Sequence, residues 1–193
     1  MNKGSSPAPD ENGDAVTIRA VVESDLGAVE KLDERVTGVG KSVYWRDVFE
    51  RYTKRRTKQR FFLVAEPGGL VAEPGGLVAE PGEGGAVGTE PDGNSVTGNK
   101  SGLPLLGYIV GAVRDWEFGT EPCGWIFAFS VDPDTRLQGV GELLFEAISA
   151  RFKSAGVTTM RTIVARDNQL HMMFFRSEGM TAGPFIQLEK ELD

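Results

Sequence analysis

One run of 33 residues, from Gly124 to Gly156, constrains the fold more than any other part of the chain. Residues 124–131 (GWIFAFSV) are apolar on both faces, which suits a strand buried in the middle of a sheet. A turn at Asp132, Pro133 and Asp134 follows. The chain then enters residues 139–155, where Val140, Leu143, Leu144, Ala147, Ile148 and Phe152 form one amphipathic stripe of a helix. Gly156 ends that helix. A buried strand running through a short turn into a core helix excludes an all-β sandwich and a simple helical bundle. It requires a mixed α/β layer structure.

The flanking segments extend this pattern. Residues 15–22 (AVTIRAVV) read as a strand. Ser24 or Asp25 can cap a helix over 26–36, and Gly38 and Gly40 break it. A second helix is expected over 42–56. Residues 61–66 (FFLVAE) and 103–116 (LPLLGYIVGAVRDW) read as strands, the second weakened by internal glycines. Residues 158–165 (TTMRTIVA) form a further strand, Asn168 opens a helix to about Glu178, and Gly179 closes it. Residues 185–192 (FIQLEKEL) alternate as a last strand. The order is strand, two helices, three strands, helix, strand, helix, strand.

A tail precedes the expected domain of residues 15–193, and a loop insertion interrupts it. Residues 1–14 are polar and rich in Pro and Gly, the signature of a disordered tail. The unit LVAEPGG is written almost three times between Leu63 and Glu83. Solenoid architectures need repeats of roughly 20 to 50 residues, so this unit is too short for one. The first copy is expected to be a strand, because Phe61 and Phe62 extend it. The later copies then lie in a Gly-rich loop insertion at about 67–103, either without structure or as a small hairpin with type II turns.

Net charge is −7 and the isoelectric point is near 4.9, so the chain lacks the basic footprint that nucleic-acid binding needs. No apolar run approaches the roughly 20 residues of a membrane helix. Cys123 is the single cysteine and His171 the single histidine. No internal disulfide, cysteine zinc site or paired-histidine metal site is expected, and the chain reads as cytoplasmic. The basic run from Arg51 to Arg60 could grip RNA, an acidic protein or a phosphate group, and by default reads as a solvated helix end.

The chemistry is expected at the turn VDPDTRLQGVG. Glycines at a helix start let a ligand approach the backbone, and the unpaired N–H groups of the first turn carry the positive end of the helix dipole. Together with Arg136 they suit a pyrophosphate. The Gly-Lys-Ser/Thr of a Walker loop is absent, and Gly139-Val140-Gly141 has no third glycine in a dinucleotide register. Taken alone, the turn is also compatible with a plain glycine-capped entry into a core helix.

Arg136-x-x-Gly139-x-Gly141 resembles the acetyl-CoA signature of the GNAT superfamily of N-acetyltransferases. Ile18-Arg19 with Asp25 resembles the family's first strand and helix start. Asn168, Phe174, Phe175, Gly179 and Met180 resemble its late segment. The resemblance covers residues 16–192 apart from the Gly-rich tract. It implies a mixed central sheet of about six to seven strands with flanking helices and a splayed parallel pair, residues 124–131 and 158–165. It further implies that the pantetheine arm of acetyl-CoA pairs with the backbone of Phe129, Ser130 and Val131. The pyrophosphate would sit on the N–H groups of Leu137, Gln138, Gly139, Val140 and Gly141 or Glu142, with Asn168 reaching in from the other wall. The implied reaction is direct acyl transfer to a primary amine, on a protein N-terminus, a lysine or a small molecule. Homodimers are common among such proteins.

The chain departs from that pattern at the proton-transfer positions. Phe175 matches a tyrosine that protonates the leaving thiolate in many members. Trp125 and Ile163 stand where others carry a glutamate. Tyr108 or a water could replace the acid, and Asp115, Glu117 and Glu121 are the remaining acids on the hairpin before the central strand. His171 could be a base, although a lone histidine beside Phe174 and Phe175 also reads as a half-buried packing residue. Cys123 reads as an inert structural thiol. Asp33, Glu34, Tyr44 and Trp45 flank the turn that lines the acceptor side in the resembled family. The sequence assigns no catalytic residue. An acyl-CoA-binding module with little transferase activity, a sensor or regulatory partner, is the competing function.

Overall fold

A computed structural model describes residues 16–54, 59–68, 104–116, 119–136 and 138–192. The expected tail at 1–14, nearly all of the repeat loop, Glu117 and Leu137 lie outside the described residues. Five strands form one sheet in the order β1-β2-β3-β4-β5. They are β1 (Val16–Ala20), β2 (Arg60–Pro67), β3 (Gly107–Arg114), β4 (Cys123–Val131) and β5 (Met160–Thr162). Among the described residues four α-helices accompany them: α1 (Leu26–Thr37), α2 (Ser42–Phe49), α3 (Val140–Ser154) and α4 (Gln169–Ser177). The first four strands are antiparallel neighbours, and β4 pairs with β5 in parallel. The β4–α3–β5 connection is therefore the crossover that a parallel pair requires.

The first LVAE copy is indeed a strand. Leu63 pairs with Ile109 and Val64 with Tyr108 in the β2–β3 ladder. The two-residue period then divides the core. Leu63, Ala65 and Ile109 face Val140, Leu144, Ile148 and Phe152 of α3. Phe62, Val64, Tyr108 and Val110 face Val29, Leu32, Trp45, Val48 and Phe49 of α1 and α2. One sheet thus carries α3 on one face and the α1–α2 pair on the other.

The glycines of β3, expected to weaken it, and Gly124 of β4 let α3 come close. A Cβ at Gly107 would meet Leu144 Cδ1 at 2.9 Å. One at Gly111 would meet Ile148 Cδ1 at 2.8 Å and the Trp125 carbonyl oxygen at 2.7 Å. At Gly124 it would meet the Phe152 ring at 2.6 Å. Leu144, Ile148 and Phe152 recur every four residues along α3, so one helix stripe lies over a row of bare backbone.

Several expectations need correction. The sheet has five strands among the described residues, not six to seven. Residues 185–192 form no strand; Ile186, Leu188 and Leu192 are exposed. Alternation is a property of one segment, whereas a strand exists only with a partner's backbone to pair with. The segment expected at 158–165 is a strand over only Met160–Thr162. The helix expected over 42–56 is α-helical only to Phe49 and widens into a π turn over Glu50–Lys54. Asp25 makes no side-chain cap on its own helix; its carboxylate accepts from the Val22 N–H (2.9 Å) and from Arg19 (2.6 and 2.9 Å). No helix among the described residues is long and apolar enough to cross a membrane.

Candidate functional site

The site begins where β4 leaves β5. Their parallel ladder holds at Gly124–Met160, Trp125–Arg161 and Ile126–Thr162 and then stops. The β3–β4 ladder slips at the same level: Gly111 faces Ile126, Val110 faces Ala128, and Phe127 is the extra residue. A bulge bends its strand and sharpens the twist. Residues Ala128 to Val131 therefore keep β3 on one side, while β5 has parted from them on the other.

The open edge leads into the expected turn. Asp132 Oδ1 accepts from the Asp134 N–H (2.9 Å), and Thr135 N–H bonds back to the Asp132 carbonyl (2.9 Å). Arg35 of α1 clamps this turn, with bonds to Asp132 (2.9 Å) and Asp134 (2.6 Å). Both carboxylates stabilise the charged guanidinium and raise its pKa. Gly139 precedes α3 at φ 73°, a left-handed conformation that glycine adopts without strain. The α3 ladder starts with Leu143 N–H to the Gly139 carbonyl (3.1 Å). The N–H groups of Val140, Gly141 and Glu142 thus precede the ladder and point out from its positive end.

A cavity of about 510 Å³ lies over this helix start. Phe129, Ser130 and Val131 form one wall, Arg136, Gly139, Gly141 and Glu142 the floor, and Asn168, His171 and Phe174 the other wall. Gly141 is the cradle: a Cβ there would meet Phe174 Cε2 at 3.0 Å and Phe129 Cζ at 3.4 Å. Asn168 caps α4, its Oδ1 accepting from the His171 N–H (3.1 Å), which directs its side chain to the mouth of the cleft. Of the predicted cofactor residues, Gln138 is exposed at the turn and lines neither cavity. Val140 turns its side chain into the core, so only its backbone is offered to the cavity. Phe175 is buried against Phe129 and Phe145, and lines the neighbouring cavity.

That second cavity, of about 530 Å³, continues the cleft toward α1 and α2. The two share Val36, Phe129, Ser130, Asn168 and His171. On its far wall Asp33 is buried with three donors: Tyr108 Oη (2.9 Å), Trp45 Nε1 (3.0 Å) and Lys41 Nζ (2.9 Å). Burial first, then the Asp33 charge, raises the Tyr108 phenol well above its ordinary value, against a weaker opposing hydrogen bond from Ser130. Tyr108 is therefore a fixed neutral donor. Tyr44 stands edge-on to Trp45 at 5.1 Å and lines the same wall.

The sequence grouped Asp33, Tyr44 and Trp45 but left open whether they serve surface, core or site. The structure joins them to Tyr108, 75 residues away, as one wall. Glu34 is exposed and outside it. Asp115 and Glu121, the acids expected near the cleft, are exposed and line neither cavity. Among the described residues, Asp33 is the acid that lines this second cavity. Its twelve-residue spacing from Trp45 gave no periodic signal that the two side chains meet. Cys123 is buried beside the Arg161 guanidinium (3.1 Å), away from both cavities. Among the described residues no cluster of acids, histidine and cysteine suits a metal ion.

Comparisons with known proteins agree with this fold. No curated protein matches the chain by sequence. Its fold is similar to that of aminoglycoside N-acetyltransferase AAC(6')-Iy in complex with CoA, with a TM-score of 0.66 and 13% identity over 94% of this chain and 97% of that one. It is also similar to aminoglycoside antibiotic 6'-N-acetyltransferase AAC(6')-IG from Acinetobacter haemolyticus (TM-score 0.62, 16% identity, 92% and 99% covered). A transcriptional regulator from Bacillus halodurans C-125 shares the fold to the same degree (TM-score 0.62, 16% identity, 92% and 100% covered). At these identities the likeness is one of fold. The acetyltransferase (GNAT) family model matches residues 29–180, most of the chain. The chain belongs to the acetyltransferase (GNAT) family, and is an acetyl-CoA-dependent acetyltransferase.

Proposed function

We propose that this protein transfers an acetyl group from acetyl-CoA directly to a primary amine, with the donor in the cavity over α3 and the acceptor in the cavity beside α1 and α2. The observation that carries this reading is the parting of β4 from β5 after Ile126, which joins the two cavities along the open edge of β4.

The residues fit the donor. Gly141 leaves room that a side chain would fill, and the N–H groups of Val140 to Glu142 with Arg136 suit a diphosphate. Phe129, Ser130 and Val131 offer an extended backbone edge to an amide-bearing arm. Asn168 keeps its side-chain N–H groups available while its oxygen caps α4. Acetyl-CoA, when bound, supplies an activated thioester carbonyl that needs no covalent enzyme intermediate. Among the described residues no cysteine lines either cavity.

The acceptor side favours one compact amine. Its volume suits a small molecule, a lysine side chain or a peptide N-terminus. Tyr44 and Trp45 offer aromatic faces to a cation. Asp33 already holds Lys41, so the wall carries no surplus negative charge for a dense polycation. A single buried cysteine accords with a reducing, cytoplasmic setting.

Calorimetry with acetyl-CoA, followed by free-thiol release over a panel of amines and peptides, tests the reading. Micromolar binding with thiol release on at least one amine is expected. Phe175 at the tyrosine position motivates the competing reading of an acyl-CoA-binding module, and tight binding with no release on any amine would establish that instead.

A further inference from the structure

His171 occupies the one stretch of wall that both cavities share between α4 and the open edge of β4. Its ring lies 5.6 Å from that of Phe129 and 6.2 Å from that of Phe175, centre to centre, so packing fixes its plane. Asn168 accepts from its backbone N–H, so the first turn of α4 sets where the ring starts. Among the described residues the ring nitrogens make no hydrogen bond with the protein. A half-buried imidazole between donor and acceptor cavities, with both nitrogens uncommitted, is placed to exchange a proton with what enters.

We propose that His171 is the catalytic base of the transfer, taking the proton that the acceptor ammonium must lose. This inference rests on the amine-acetylation reading above. The charged and titratable groups around it are Arg136 on the turn before α3, Glu142 on α3, Asp33 and Lys41 on the α1–α2 side, and Tyr44 and Tyr108. Asp33, Lys41 and Tyr108 are engaged with one another. Tyr108 cannot serve as the base, since its phenol is held protonated. Glu142 is exposed on the donor floor, beyond the shared wall. Burial, then the positive charge of Arg136, lowers the imidazole pKa and keeps the ring neutral at neutral pH, the form that accepts a proton.

The step balances as follows. One ring nitrogen of His171 takes a proton from the ammonium. The freed nitrogen forms its bond to the acetyl carbonyl carbon as the carbon–sulfur bond breaks, its electron pair leaving with sulfur. The remaining proton lost by the nitrogen ends on sulfur, giving the free thiol. The imidazolium returns its proton to solvent.

Because the chain has one histidine, one imidazole resonance reports its titration by NMR. The test compares wild type with His171→Ala and His171→Gln, the second keeping most of the volume. It uses thiol release from acetyl-CoA with spermidine, lysine, an aminoglycoside and a short peptide. We expect kcat/KM at neutral pH to fall about 100-fold in both variants. Acetyl-CoA affinity by calorimetry should stay within about threefold. The acid limb of the wild-type kcat/KM profile should coincide with the NMR midpoint of His171, below the ordinary value of about 6.5, and vanish in both variants. Variants with near-normal turnover, a limb that persists without the histidine, or a midpoint away from the limb would overturn the base assignment alone. Wild type that binds acetyl-CoA but releases no thiol on any amine overturns the transfer reading with it.

Discussion

Tyr108 on β3 donates its hydroxyl hydrogen bond to Asp33 of α1 across 2.9 Å, and neither residue is more than 3% exposed. The bond ties the helix pair to the sheet at the α1–α2 end of the cleft. The same carboxylate accepts from Trp45 Nε1 and Lys41, so α1, α2, the turn between them and β3 converge on two oxygens. A buried carboxylate with three donors is well satisfied, and its loss leaves the donors stranded.

Asp33→Ala is therefore expected to destabilise the fold by about 3 kcal/mol, because the Tyr108 hydroxyl and the Trp45 N–H both stay buried without an acceptor. Urea unfolding measures this. A loss under about 1 kcal/mol would mean that water readily replaces the carboxylate.

Stability should also fall at high pH through Tyr108. Its folded pKa is raised, so the folded state holds the phenolic proton more tightly than the unfolded chain. That contribution is complete below about pH 10, the unfolded value, and is lost as pH rises further. Tyr108→Phe removes it. The variant should be less stable than wild type by about 1 kcal/mol at pH 7, and the gap should narrow above pH 10. A gap independent of pH would refute the linkage. Tyr52, also raised by burial, titrates in both proteins and cancels in the comparison.

At the donor end, Gly141→Val should close the cradle between Phe129 and Phe174. A single Cβ already comes within 3.0 Å of Phe174, and two further methyl groups have only the cavity to enter. Acetyl-CoA affinity is expected to drop at least about tenfold by calorimetry, which is about 1.4 kcal/mol. The far-UV spectrum should be unchanged. Unaltered affinity would move the donor away from this helix start.

Arg19 holds the other end of the molecule together. It bonds both oxygens of Asp25, whose side chain has no exposure, and also Glu66 on β2 (2.8 Å). Arg19→Ala leaves a buried carboxylate with one backbone donor, and should cost about 3 to 5 kcal/mol. Arg19→Lys is expected to recover only part of this, since an ammonium lacks the planar fork. Thermal unfolding of the two variants orders them; equal melting temperatures would contradict a bidentate role.

The glycine-lined helix start was legible in the sequence because it is local. Gly139 and Gly141 lie within one turn, their backbone conformation follows from residue type, and Asn168 caps the helix that begins beside it. The strand at Phe61–Glu66 was legible through its aromatic pair. The closure of Tyr108 on Asp33 and Trp45 was not, since these three meet only after two helices dock on a sheet. The fate of residues 185–192 was misread for a related reason. Their alternation describes a face, and nothing in it states whether a neighbouring backbone is there to pair.

The sequence by itself determined which segments bury an apolar face, where the glycine-lined helix start falls, and which family the chain resembles. All of these depend on residue type at short spacing. Only the tertiary structure decided how wide the cleft opens and what lines its far end. The bulge at Phe127, the early end of the β4–β5 ladder and the closure of Tyr108 on Asp33 come from packing between segments far apart in the chain, where no local period carries the signal.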